Sequence, residues 1–175
     1  GVQTCALPIL QLHERQTSTE YSDLLANAEA EAGAQASHEQ QRNLQLLRQQ
    51  WERQSRLDPA LVGQLAQAQA QGYALWQEAK RDNAFARFAP ALQSLIDLRL
   101  EQARQLAPAE RDASGQERSP WEILAQPFEP DISKEALNRW LLPLRSELPP
   151  LLEQAQALPK GSAERWDLSE QVQET

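Results

Sequence analysis

WQEAKRDNAFARFAPALQSLIDL, residues 76–98, decides how this chain reads. Trp76 closes one amphipathic segment and Arg81-Asp82-Asn83 interrupts it. Phe85, Phe88, Leu92, Leu95 and Ile96 then open a second segment at helical spacing. Apolar stripes on either side of a short polar break describe helices folded back on one another. The aromatic residues here read as core, with Phe85 and Phe88 expected to be buried rather than to bind a ligand.

Working towards the N-terminus, Asp58-Pro59 is a helix start, because Asp can cap and proline at the first position gives up an N–H that has no partner anyway. The helix it opens carries Leu61, Leu65, Ala68, Gly72 and Trp76 on one stripe. Before it, a helix is predicted from about Ser37 to Arg56, with Leu44, Leu47 and Trp51 on one face. Thr17, Ser18 and Thr19 offer caps for another, carrying Tyr21, Leu24, Leu25 and Ala28 and ended by Gly33. A short helical piece is expected over Gln11–Gln16. Residues 1–9, GVQTCALPI, match neither the composition nor the periodicity of the rest and read as a foreign leader, with Leu10 near the first native residue.

Towards the C-terminus, Pro90 is expected to divide the second stripe into a short segment to Ala89 and a longer helix from Pro90 to Leu106. Pro108 to Ser119, containing Ser114-Gly115, reads as the main surface loop. Ser119-Pro120 caps a short helix through Trp121, Ile123 and Leu124, ended by Pro127 and Pro130. Ser133 caps the last long segment, in which Leu137, Trp140, Leu141, Leu144, Leu148, Leu151, Leu152, Ala155 and Leu158 recur at helical spacing. Pro143 and Pro149-Pro150 should kink or divide that segment. Residues 159–175 read as a linker and the truncated start of a further helix at Ser169, so a chain cut at both ends is expected. Period-two alternation and hairpin turns are missing, and the class is all-α: several antiparallel amphipathic helices.

Composition agrees. The chain is rich in Ala, Gln, Leu and Glu, whose straight side chains lose little freedom in a helix. At 175 residues a real core is attainable. The net charge of −8 and pI near 4.8 disfavour a nucleic-acid partner, because the average surface repels phosphate. No run of 18 apolar residues and no secretory leader pattern occurs, which argues against a membrane partner and leaves a cytoplasmic protein as the default. The single cysteine, Cys5, has no partner in the sequence.

The search for chemistry is mostly negative. His13 and His38 are each followed by Glu, but the residues four positions on are Thr17 and Arg42, so neither completes the His-Glu-x-x-His pattern of a helical zinc hydrolase. Both read as solvated helix residues. The carboxylate pairs Glu29 and Glu31, Glu110 and Asp112, and Glu129 and Asp131 lie in polar stretches where nothing suggests burial or a shifted pKa. Ser119, Ser133 and Ser169 suit helix caps better than nucleophiles. Lys80, Arg81 and Arg87, near Trp76 and Phe85, form a basic cluster that suits either a solvated helix end or an acidic partner such as a peptide carboxylate. Whether they face a substrate groove is not legible in the sequence.

The order Trp76, Ala79, Arg81, Asn83, Phe85, Phe88, Pro90, Leu92, Leu95, Leu98 and Ala103 resembles the N-terminal helical region of the carboxypeptidase Taq family of zinc metallocarboxypeptidases. LDPALVGQLAQAQAQGYALW (57–76) resembles the family's preceding helix, and PWEILAQPFEPDISKEALNRWLLPLRSELPPLL (120–152) its later segment. The resemblance covers residues 10–158. It departs at Ala125-Gln126-Pro127, where the family usually has a Leu-Asp pair and no proline, and at Trp51, where Tyr is expected. The family's Trp-Asp and Pro-Pro-Gly-Gly element would fall just before Leu10.

What the resemblance implies is an enzyme that releases C-terminal amino acids from peptides, using zinc held by His-Glu-x-x-His and a downstream Glu, and working as a homodimer. It places no catalytic, cofactor-binding or metal-ligating residue on this sequence, so a fragment inactive by itself is expected. The alternative is a non-catalytic all-α protein-interaction module whose apolar stripes meet a partner helix.

Overall fold

Helix boundaries in this chain are set by local chemistry, and the computed structural model, which describes residues 3–33, 36–111, 115–130 and 132–157, shows each signal at work. Seven α-helices and no strand occur among the described residues. They are α1 Gln3–Gln16, α2 Thr19–Ala32, α3 His38–Gln54, α4 Pro59–Arg81, α5 Phe85–Leu106, α6 Pro120–Ala125 and α7 Lys134–Ala157. Ser18 accepts from the Tyr21 N–H at 3.1 Å to start α2, and Gly33 ends it at φ 47°. Ser37 and Gln40 exchange side chain and backbone bonds at the start of α3, and Ser119 and Glu122 do the same for α6. Asp58 caps α4 through the Ala60 N–H at 2.8 Å, with Pro59 as its first residue. After Arg81 the chain reverses through Asn83, whose φ of 48° lies in the left-handed region that Asn tolerates.

Contacts divide the chain into two compact units, Gly1–Asp131 and Ile132–Thr175. In the first, α4 packs along α5 and also carries α1. Both approaches use glycine. A methyl group at Gly63 would stand 3.2 Å from the Leu10 side chain on α1, and one at Gly72 would stand 3.0 Å from Leu95 on α5. Leu57, Ala103, Leu106 and Ile123 form a buried cluster where α4, α5 and α6 meet, with Val62, Ala107 and Leu124 packed against it. Leu106 and Ile123 lose essentially all exposure, which at roughly 1.5–3 kcal/mol per apolar side chain makes this corner a major source of stability. Between α5 and α6 a single 3₁₀ turn, Ala107–Ala109, leads to an isolated antiparallel bridge between Arg111 and Glu117.

Several expectations need correction. The first helix does not start near Gln11 but runs from Gln3, with Pro8 inside it. Pro90 does not divide the second stripe: α5 is one helix from Phe85 to Leu106 with Pro90 as its sixth residue. Proline removes the bond to the Ala86 carbonyl, but Ala86 is exposed, so water can take that place. Meanwhile Phe88, Leu92, Leu95 and Leu98 keep one continuous inward face.

Phe85 is not buried. It is 66% exposed at the first turn of α5, its ring meeting that of half-buried Phe88 in an edge-on arrangement with centroids 6.3 Å apart. Trp76 and Ile96 are also exposed in part.

The second unit contributes α7. Ser133 Oγ accepts from the Ala136 N–H at 3.1 Å as its cap. Pro143, Pro149 and Pro150 do not divide it. The carbonyls they deprive, on Arg139, Arg145 and Ser146, belong to exposed residues that water can reach. The expected further helix at Ser169, like Leu158, lies outside the described residues.

Candidate functional site

The basic cluster forms at the α4–α5 reversal, and its own neighbours neutralise most of it. Arg81 Nε donates to Asp82 Oδ1 at 3.1 Å; Arg87 donates to Asp82 Oδ2 at 2.8 Å and to Glu78 Oε2 at 3.2 Å. The hydrogen bond from Arg81 is the first cause holding the Asp82 carboxyl below its ordinary value. Lys80 lies over the Trp76 ring, 5.2 Å from its centroid, as residues four apart on a helix can. Tyr73 and Trp76 sit 5.8 Å apart on the same exposed face of α4. An anion would have to displace two acidic partners to reach Arg81 and Arg87, so the solvated helix end is the better description of these two residues.

A second constellation lies between α2 and α3. Arg48 Nε and Nη2 donate to the two oxygens of Glu29, at 3.0 and 2.7 Å, a fork-on-fork pair. The Arg48 hydrogen bond holds Glu29 below the ordinary carboxylate range. The same guanidinium lies 5.3 Å from the centre of the Trp51 ring, whose Nε1 is buried without a hydrogen-bond partner among the described residues. Beside the pair runs a shallow groove of about 370 Å³, lined by Ala32, Gly33, Leu44 and the amides of Gln41, Gln45 and Gln49.

The third constellation is the most enclosed. Arg53, at the end of α3, pairs with Glu110 beyond α5 and donates to the Ile123 carbonyl in α6 at 2.7 Å. Both charged side chains retain under a fifth of their exposure. Burial pulls Arg53 below the ordinary arginine value, with Glu110 acting against that shift.

Glu29 and Glu110 are therefore not the unengaged carboxylates expected from the sequence, since each is held by an arginine from another element. Glu31 and Glu129 are exposed, and Asp112, Asp131 and Ser169 lie outside the described residues. His38 is an exposed first residue of α3, whereas His13 is only 5% exposed and not solvated as its polar neighbours suggested. It falls on the inward side of α1, the helix that α4 carries. Ser119 and Ser133 are caps, as expected.

Arg48 and Arg53 escaped the sequence reading. Arg48 had a local signal, three residues before Trp51 on one helix face; Arg53 had none, its acceptors being 57 and 70 residues away.

Among the described residues no group of three or more His, Cys, Asp or Glu could hold a metal ion. No helix among them is long and apolar enough to cross a membrane.

The arrangement of helices matches solved structures. The crystal structure of BsuCP superposes with a TM-score of 0.77 at 20% identity, over 89% of this chain and 30% of that one. Trypanosoma cruzi metallocarboxypeptidase 1 gives 0.67 at 28% identity, over 84% and 28%. The structure of CHT gives 0.69 at 22%, over 84% and 28%. The chain thus spans less than a third of the length of these structures. A comparison with curated proteins finds no match. Residues 3–174 match the model of the carboxypeptidase Taq (M32) metallopeptidases, so every helix described above falls within one family pattern, and the chain belongs to that family.

Proposed function

We infer that this chain is the N-terminal helical part of a zinc metallocarboxypeptidase that releases C-terminal amino acids from peptides, and that the residues holding the metal are not among its 175. The observation that carries this reading is the family match over residues 3–174 together with the short span, 28–30%, of the solved chains it resembles. Its composition supports the same division of labour. The chain's two histidines, neither in a His-Glu-x-x-His pattern, support placing the metal ligands elsewhere in the enzyme, while its packed helices suit a wall of a larger structure. In such an enzyme the metal would polarise the scissile carbonyl and lower the pKa of its bound water. Residues 1–9 as a foreign leader, a cytoplasmic location and a homodimer belong to this proposal too.

The test is to read the gene beyond the codon for Thr175 and to assay its complete product. A His-Glu-x-x-His helix downstream, with chelator-sensitive release of C-terminal residues, is the expected result. A stop codon or an unrelated domain would overturn the reading in favour of an interaction module. The 175-residue chain alone is expected to show no peptidase activity.

A further inference from the structure

The α2–α3 hairpin is held differently from its neighbours. α4 buries Leu61, Leu65, Ala66, Gly72 and Ala79 against the helices beside it, whereas α3 buries no side chain and α2 only Leu25. α2 packs on α3, and α3 makes only a small contact with α1. The Glu29–Arg48 pair is internal to the hairpin, so it holds α2 to α3 and nothing else. Past the local turn at Thr17–Ser18, the side-chain hydrogen bonds that join α3 to a distant element, among the described residues, are those of Arg53 to Glu110 and to the Ile123 carbonyl.

Segments with few buried apolar contacts open at lower free energy than the core, and as units. We propose that, in this 175-residue chain, α2 and α3 form an arm whose helices open together while α1, α4 and α5 stay folded, and that Arg53 is the latch setting how often they do so. A single guanidinium suits this role because its two acceptors come from different elements, the segment after α5 and α6. Releasing one leaves a desolvated charge only half compensated, so the latch is either fully engaged or fully released into water. Arg53 stays charged throughout the working pH range, so the latch does not fade by losing its own proton. The hinge follows from the core: Leu57, three residues beyond α3, is buried with Ala103, Leu106 and Ile123, and the Asp58 N–H donates to Gln105 Oε1 at 2.9 Å. The chain is therefore fixed immediately past the point where the arm ends.

Hydrogen exchange read by mass spectrometry on the full 175-residue chain tests this, comparing the unaltered chain with Arg53→Met and Glu110→Gln. In the unaltered chain, amides within 19–54 should exchange faster than those within 59–106. Arg53→Met should raise exchange in 19–54 by roughly tenfold or more while 59–106 changes by less than about twofold, with Glu110→Gln intermediate and equally selective. Parallel acceleration of both regions, or no acceleration in 19–54, overturns the proposal. Should Arg53→Met fail to fold, the milder Glu110→Gln decides by the same criterion.

Discussion

Leu95 occupies the space that Gly72 leaves open: its Cδ1 lies 3.0 Å from where a β-carbon at Gly72 would stand, and the two longest helices of the first unit approach each other there. A larger residue at position 72 has to move the Leu95 side chain or the helices. Gly72→Val is expected to lower stability by about 1–3 kcal/mol through overpacking, despite relieving the entropic cost of a helical glycine. In a double-mutant cycle read by urea unfolding, Leu95→Ala should absorb much of that penalty. Independent, additive effects would show that the close approach does not limit packing.

Pro90 offers an opposite change. Replacing it by Ala restores the backbone bond to the exposed Ala86 carbonyl, and a proline in a helix interior costs about 3 kcal/mol. Against that, the unfolded chain gains freedom worth about 0.4–1 kcal/mol. The first effect is larger, so Pro90→Ala should raise the urea midpoint by a net gain of roughly 2 kcal/mol. A lower midpoint would mean that α5 depends on a bend at Pro90.

The short helix α6 places Ile123 in the core and the Ile123 carbonyl against Arg53, and it starts with the exchange between Ser119 and Glu122. Ser119→Ala removes the acceptor of the Glu122 N–H and is expected to cost about 1 kcal/mol. Thermal unfolding followed by far-UV circular dichroism measures it.

Acid should weaken the fold through Glu101. Hydrogen bonds from Arg104 at 2.7 Å and from Gln105 hold its carboxyl at about 2. A carboxyl depressed on folding stabilises the native state above its unfolded value of about 4.3 and loses that contribution as pH falls towards the folded value. Glu29 and Asp82 are shifted in the same direction by Arg48 and Arg81. The urea midpoint is expected to fall between about pH 4.3 and pH 2, and Glu101→Gln should flatten part of that slope. Carbon-13 NMR of the Glu101 carboxyl reads the titration directly, and an ordinary glutamate value there would contradict the assignment.

Much of this fold was legible because its signals are local. The caps at Ser18, Ser37, Asp58 and Ser119 each act on a backbone N–H two or three residues away, and the break at Asp82-Asn83 needs only those residues. Prolines were the exception. At Pro90 and Pro143 the local rule points to a boundary, but a lost backbone bond is survivable where water can replace it and an apolar face continues on both sides.

The candidate constellations were less legible, and for a different reason. Periodicity names the face a residue occupies but not what covers that face: His13 is enclosed while Phe85, with a far larger apolar ring, stands open. Arg48 could be paired with Trp51 from spacing alone, yet its partner Glu29 belongs to another helix. Sequence determined the helices, their caps and, through their order, the family. Tertiary structure alone decided that Arg53 ties α3 to Glu110 and Ile123, because burial and pairing across 57 and 70 residues depend on which helices pack together, and no local pattern encodes that.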